Sequence, residues 1–133
     1  MNNKFLALLI LGLFAFTTSC ESDEDTDLAE EIVGTYFMTS YETQLGASTP
    51  NSEDKVTITQ TSDNIIQAEV DYAQTGAGTD INLNNMDVSE VGSTTSIQGE
   101  YDNADANGTV NGDDLQLTIN YDDGNFAIIN ATK

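Results

Sequence analysis

The sequence contains no histidine, no arginine and no tryptophan, and Cys20 is its only cysteine. Nucleophilic systems that pair serine or cysteine with histidine therefore cannot be assembled from this chain. Zinc sites built on histidine or cysteine are excluded for the same reason. No glycine-rich loop leads into a helix with a lysine, as a phosphate-binding loop requires.

Positive charge is scarce: 3 Lys and Arg residues stand against 23 Asp and Glu residues, which gives a net charge of −20. Binding to nucleic acid requires cations against phosphate, so a nucleic-acid partner is excluded. Carboxylates could form an acid–base pair of the glycosidase type. Most of them fall in predicted turns or on polar strand faces, however, and we predict that the protein is not an enzyme.

The first residues have the three parts of a secretory signal. Lys4 gives a positive start, residues 5–16 are almost wholly apolar, and small residues follow. A membrane-spanning helix needs about 20 apolar residues, so this run is too short to cross a bilayer. We predict a cleaved signal peptide over residues 1–19.

Thr17-Thr18-Ser19-Cys20 resembles the lipobox of bacterial lipoproteins, in the looser form found in Bacteroidetes. Thr17 stands where leucine is usual. The resemblance implies that Cys20 is diacylglycerated, that the leader is removed before it, and that the new amino terminus receives a further acyl chain such as palmitate. Two or three acyl chains make a durable anchor. An ordinary cleaved signal is the alternative.

The acidic run Glu21–Asp27 follows the cysteine directly. Like charges repel and resist burial, which is typical of a solvated tether. The run also resembles the export signal of surface lipoproteins in Bacteroidetes. We therefore expect residues 20–31 to form a tether, and the protein to be anchored in the outer membrane, facing the cell surface.

From residue 32 to residue 133 the pattern is mostly that of strands, after a helical turn over Asp27–Ile32 that Asp27 would cap. Leu115, Leu117, Ile119 and Tyr121 alternate with polar residues and form the clearest strand. About eight such segments, joined by Gly/Asn/Asp turns, predict one all-β domain. We expect a small antiparallel up-and-down barrel, with a β-sandwich as the alternative.

The segment Glu31-Ile32-Val33-Gly34-Thr35-Tyr36 is similar to the opening of lipocalin-like (calycin) barrels, in which a short helical turn precedes Gly-x-Trp. The resemblance implies that Tyr36 plugs the closed end of the barrel. Tyr36 replaces the usual tryptophan, and Lys133 would be a poor substitute for the arginine that packs on it from the last strand.

Aromatic residues are the candidate ligand contacts. A barrel of about eight strands is either filled by side chains or holds one small ligand. The first possibility predicts a structural or interaction module of an envelope complex, and the second predicts binding of a small apolar ligand or a protein partner. The loops 45–54 and 73–80 would lie at the barrel mouth. The candidate lining residues are Tyr36, Phe37, Tyr72, Tyr101, Tyr121 and Phe126.

Residues 103–114 resemble the calcium loop of EF-hands and dockerins, with oxygen ligands at loop positions 1, 3, 5 and 12 and glycine at position 6. The implied ligands are Asn103, Asp105, Asn107, Asp114 and the carbonyl of Thr109. The alternative is a polar loop followed by a tight hairpin. Apart from weak calcium binding, we expect no cofactor.

Overall fold

The computed structural model describes residues 27–73, 81–101 and 104–133. The leader, Cys20, most of the acidic run, the segment 74–80 and Asn103 lie outside these ranges. The described chain consists of α1 (Leu28–Ile32), β1 (Gly34–Thr43), β2 (Gly46–Ser48), β3 (Lys55–Ser62), β4 (Ile65–Asp71), β5 (Ile81–Val91), β6 (Thr94–Tyr101), β7 (Ala104–Asn111), β8 (Asp114–Tyr121) and β9 (Phe126–Thr132).

Helix α1 begins where the capping pattern predicted. The carboxylate of Asp27 accepts a hydrogen bond from the backbone N–H of Glu30, 3.2 Å away. Such a cap satisfies a backbone donor that the first helical turn leaves unpaired. Ala29 and Ile32 are buried on the inner side of the helix, which contacts β3 and β5. We call the end of the barrel that carries α1 the closed end.

The strands form a closed antiparallel barrel of eight strands plus one extra strand. From β3 to β9 each strand pairs with the next, β1 pairs with β3, and pairing of β1 with β9 closes the ring. The predicted up-and-down barrel is confirmed, and the β-sandwich is not adopted. The extra strand is β2, which pairs with the end of β1 and lies within the predicted loop 45–54.

A β-bulge in β1 changes which side chains face inward. Met38 is paired with Ala131 and Ser40 with Asn130, so Thr39 is one residue in excess. One extra residue reverses the alternation of a strand. As a result Tyr41, opposite the fully buried Ile129, points into the barrel.

The interior of the barrel is filled by aliphatic side chains, to which each strand except β2 contributes. Val56, Ile66, Val70 and Ile97 are 0% exposed. A water-sized cavity beside any of these side chains would leave part of its surface accessible. The barrel is therefore solid around them. Each such burial stabilises the fold by roughly 1.5–3 kcal/mol.

Small residues on β7 make room for large ones on its neighbours. Gly108 lies between Ile97 on β6 and Leu117 on β8. A β-carbon at position 108 would lie 2.7 Å from Ile97 Cγ1 and 2.9 Å from the carbonyl oxygen of Gln116. The close approach of Ile97 thus requires glycine at this position.

We predict that Gly108→Ala destabilises the barrel by about 1–3 kcal/mol, the usual cost of overpacking a filled core. Urea unfolding of the purified protein measures the change. Ile97→Ala removes the side-chain atoms of the clash and leaves the contact with the carbonyl oxygen of Gln116. The double variant should therefore be more stable than the sum of the two single effects implies. Additive effects, or no loss in Gly108→Ala, would contradict a filled interior at this level.

Candidate functional site

Four tyrosines meet at the end of the barrel opposite α1. Tyr41 lies on β1, Tyr72 follows β4, and Tyr101 and Tyr121 end β6 and β8. We call these four residues the tyrosine mouth. Tyr41, Tyr101 and Tyr121 are partly buried and pack against the core, whereas Tyr72 is 4% exposed.

Two contacts bring the rings together. The rings of Tyr41 and Tyr72 are stacked, with centroids 4.2 Å apart and planes 19° from parallel. Tyr101 and Tyr121 are both in register with Ala104, which stands between them. Ala104 is 4% exposed, so its short side chain is covered.

Tyr72 is held in place by the loop that joins β2 to β3. Its hydroxyl is 2.7 Å from Oγ of Ser48 on β2, and either oxygen can donate. Next in the chain, the N–H of Ala73 donates to the buried carboxylate of Asp54 at 2.8 Å. The other carboxylate oxygen accepts from the N–H of Asn51 at 2.7 Å. This pairing compensates the cost of burying Asp54 and fixes one side of the mouth.

The phenols of Tyr41 and Tyr121 stay neutral at ordinary pH. Burial raises the pKa of Tyr41, and neighbouring Tyr121 and Tyr72 raise it further. Burial also raises the pKa of Tyr121, with further contributions from Tyr101 and Asp123. Neutral phenols donate hydrogen bonds and offer aromatic faces, but they do not act as bases.

The structure brings together three of the six predicted ligand contacts: Tyr72, Tyr101 and Tyr121. Tyr36 is fully buried at the closed end. Phe37 is 50% exposed on the outer wall, so its predicted place in the interior is wrong. Phe126 also lies out of phase with the inward-facing Ala127 and is only partly buried. Tyr41 was missed because its inward direction depends on the bulge at Thr39.

At the closed end, Tyr36 contacts both α1 and the last residue of the chain. Its hydroxyl donates to the carbonyl of Ile32 in α1 at 2.8 Å. Nζ of Lys133 lies 5.0 Å from the centre of the Tyr36 ring, within cation–π range. Gly34 has φ +145°, and a β-carbon there would lie 3.1 Å from Cε of Lys133. Lys133 therefore covers Tyr36 and Gly34 at this end of the barrel.

The predicted calcium loop is not a loop. Asn103 lies outside the described residues, and residues 104–111 form strand β7. Asp105, Asn107 and Thr109 point outward along this strand, and Asp114 is paired with Asn111 at its far end. Six residues of strand span about 20 Å, so these groups cannot surround one ion. The spacing of glycine and polar residues that resembles the calcium motif therefore belongs to a strand and the turn that follows it.

The outer wall carries an open, polar depression of about 550 Å³ over β5, β6 and β7. Asn84, Asp87, Gln98 and Asn107 are among its lining residues. In the described parts of the chain no group of three or more acidic side chains is placed to hold a metal ion. Nor does any helix in these parts have the length and apolar character needed to span a membrane.

No family model matches the chain, and no curated protein matches it. The crystal structure of a candidate outer membrane protein from Bacteroides fragilis has a similar fold, with a TM-score of 0.60 and 19% sequence identity. The similarity covers 80% of this chain and 53% of that chain. The chain thus spans about half the length of this neighbour, and the likeness establishes the barrel fold.

We predict that alkaline pH weakens the barrel through Tyr36. Burial, together with the charge of Asp113, raises the pKa of Tyr36 from 10.0 to about 12. The phenol of Tyr36 ionises more easily in the unfolded chain than in the folded barrel. Its contribution to the free energy of unfolding is therefore complete below pH 10 and is lost as the pH rises through 12. The loss is on the order of 2 kcal/mol. Urea unfolding between pH 9 and pH 12 measures it.

Tyr36→Phe is the matched control, since it keeps the ring under Lys133 and removes the phenol. Its stability should start lower, because the hydrogen bond to Ile32 is lost, and should fall less steeply with pH. Tyr41 and Tyr121 contribute the remaining slope. The same slope in both proteins would contradict the assignment to Tyr36.

Proposed function

We propose that this protein is a lipid-anchored envelope lipoprotein whose lipocalin-like barrel is a non-enzymatic interaction module, contacting an envelope partner through the tyrosine mouth. One observation carries the proposal: the interior is filled, while partly exposed tyrosines gather at one end. Tyrosine is enriched among residues that dominate binding energies at protein interfaces.

The filled interior favours a partner over a small ligand inside the barrel. Small-molecule sites bury about 70–90% of a drug-sized ligand, which requires depth. Ile97, Leu117 and Ile129 occupy that depth and are 0% exposed. Shallow contact with a larger surface suits the mouth better. A small apolar ligand, the other sequence prediction, would have to bind among the tyrosines themselves.

The lipocalin-like assignment is supported by the closed end. Gly34, Tyr36 and Lys133 converge there, and the hydroxyl of Tyr36 ties β1 to α1. The up-and-down order of the strands is also that of a lipocalin-like barrel.

The anchor is supported by the sequence around Cys20. An apolar leader ends in small residues before the cysteine, and acidic residues follow it directly. Acylation of Cys20 would hold the chain in the outer membrane, and the acidic tether would be repelled by anionic head groups. Surface exposure follows from the resemblance of the tether to an export signal.

Cys20→Ala should abolish anchoring. With no thiol to acylate, the chain should lose incorporation of labelled palmitate and leave the membrane fraction when expressed in a Bacteroidetes host. Ser19→Gly keeps a small residue before the cysteine and should remain anchored. If Cys20→Ala protein stays in the membrane fraction after its leader is cleaved, the anchor proposal fails.

The mouth is tested with a double variant, Tyr101→Leu with Tyr121→Leu, which keeps apolar bulk and removes both aromatic faces. Size-exclusion chromatography of detergent-extracted envelopes should show wild-type protein in a complex, and at least about tenfold less of the variant there. Phe37→Leu removes an exposed aromatic ring from the outer wall and should leave the complex intact.

Melting curves of the purified variants establish that each one folds. Wild-type protein eluting alone, or a complex that tolerates the double variant, would rule out the tyrosine mouth as the contact surface.

A further inference from the structure

We infer that the partner presents a basic polypeptide segment, and that a lysine or arginine side chain of this segment binds against Tyr101 and Tyr121. This inference rests on the proposed function, because it names the chemistry of the partner at the same mouth. Three observations lead to it: aromatic faces, acids next to these tyrosines in the chain, and the lack of an unpaired cation among the described residues.

Aromatic faces are the first observation. The face of a tyrosine ring is electron-rich and attracts ammonium and guanidinium groups within about 6 Å of the ring centre. Tyr101 and Tyr121 flank the short side chain of Ala104 and are only partly buried. A flat guanidinium or an alkyl ammonium group can pack on the exposed part of such rings.

Acids are the second observation. Glu100 and Asp122, the chain neighbours of Tyr101 and Tyr121, line an open depression of about 280 Å³ together with Ala104 and Asp105. Glu100 lies directly opposite Asp105 across β6 and β7. Like charges in this position repel each other, and a bound cation would relieve the repulsion.

The spacing of these acids suits an organic cation. Among the described residues no three acids lie close enough together for a metal ion. Glu100 and Asp105 are exposed on the outer wall, whereas Tyr101 and Tyr121 pack against the core. A polypeptide that crosses the rim of the barrel can therefore place one cation on the rings and another beside the carboxylates.

The lack of an unpaired cation is the third observation. Lys55, at the mouth end of β3, lies 3.9 Å from the carboxylate of Asp71. Lys133 is over Tyr36 at the closed end. Lys4, in the leader, is the only other Lys or Arg residue of the sequence. An anionic ligand at the mouth would therefore find no free counter-ion.

The open shape favours a polypeptide over a free amine. A small amine in an open depression above a filled core would bury little of its surface, whereas a polypeptide adds contacts on both sides. The net charge of −20 would also steer a basic partner towards the protein, with a rate that falls as salt is added.

The test uses the detergent-solubilised full chain and three probes: fluorescent octalysine, fluorescent octaglutamate and butylamine. Octalysine should bind, and the variant Tyr101→Leu with Tyr121→Leu should weaken its affinity at least fivefold. Tyr101→Phe with Tyr121→Phe keeps both faces and should stay within about twofold of wild type, as should Phe37→Leu. Octaglutamate should not bind.

The position of the acids is tested with two double variants that have the same net charge. Glu100→Gln with Asp122→Asn removes two acids beside the mouth, and Asp63→Asn with Asp113→Asn removes two acids from turns at the closed end. The first pair should weaken octalysine binding at least fivefold, and the second less than twofold. Equal effects would reveal attraction to the overall charge alone and would overturn the inference.

Other results also decide the question. Butylamine binding as tightly as octalysine, octaglutamate binding, or indifference to the double Leu variant would each refute a basic segment at these rings. If the envelope complex still depends on Tyr101 and Tyr121 in such a case, the proposed function stands and only the chemistry of the partner is wrong. If the complex tolerates their loss, the proposed function itself fails.

Discussion

Pairing of β1 with β9 is the constraint on which the other features depend. It closes the sheet into a ring and lets side chains from opposite walls meet in one core. The same pairing contains the bulge at Thr39, whose hydroxyl donates to the carbonyl of Asn130 at 3.1 Å. Without the extra residue Tyr41 would point outward, and its stack with Tyr72 could not form. Closure and the composition of the mouth are therefore set by one strand pair.

The two ends of the filled barrel differ in how far their tyrosines are buried. At the closed end, Tyr36 is fully buried, its hydroxyl is hydrogen-bonded to α1, and Lys133 covers its ring. Both the hydroxyl and the ring of Tyr36 are therefore engaged within the fold. At the other end, Tyr41, Tyr101 and Tyr121 are partly exposed, and each has an acidic residue next to it in the chain. Tyrosine thus stabilises the fold at the closed end, and at the mouth it leaves aromatic surface partly exposed.

Much of this fold could be predicted from the sequence, because strand alternation is local. The strand ending at Tyr121 and the cap at Asp27 follow directly from neighbouring residues. The inward direction of Tyr41 could not be predicted, since it depends on a register shift against β9. Phe126 was misplaced because apolar residues fall on both faces of β9. The loop predicted before Thr109 is part of strand β7, whose inward positions there are Ala104, Ala106 and Gly108, and such small residues carry little strand signal.

The chain order sets the direction of the mouth relative to the proposed anchor. Cys20 precedes α1 by a few residues, and seven residues reach about 25 Å at most. Because α1 lies at the closed end, the tether joins the barrel there, and the mouth lies a full strand length away, again about 25 Å for eight residues. A lipid at Cys20 therefore leaves the mouth on the side of the barrel distant from its attachment. If Cys20 is anchored at the cell surface as proposed, anionic lipids would repel the tether, and the tyrosines would face away from the membrane.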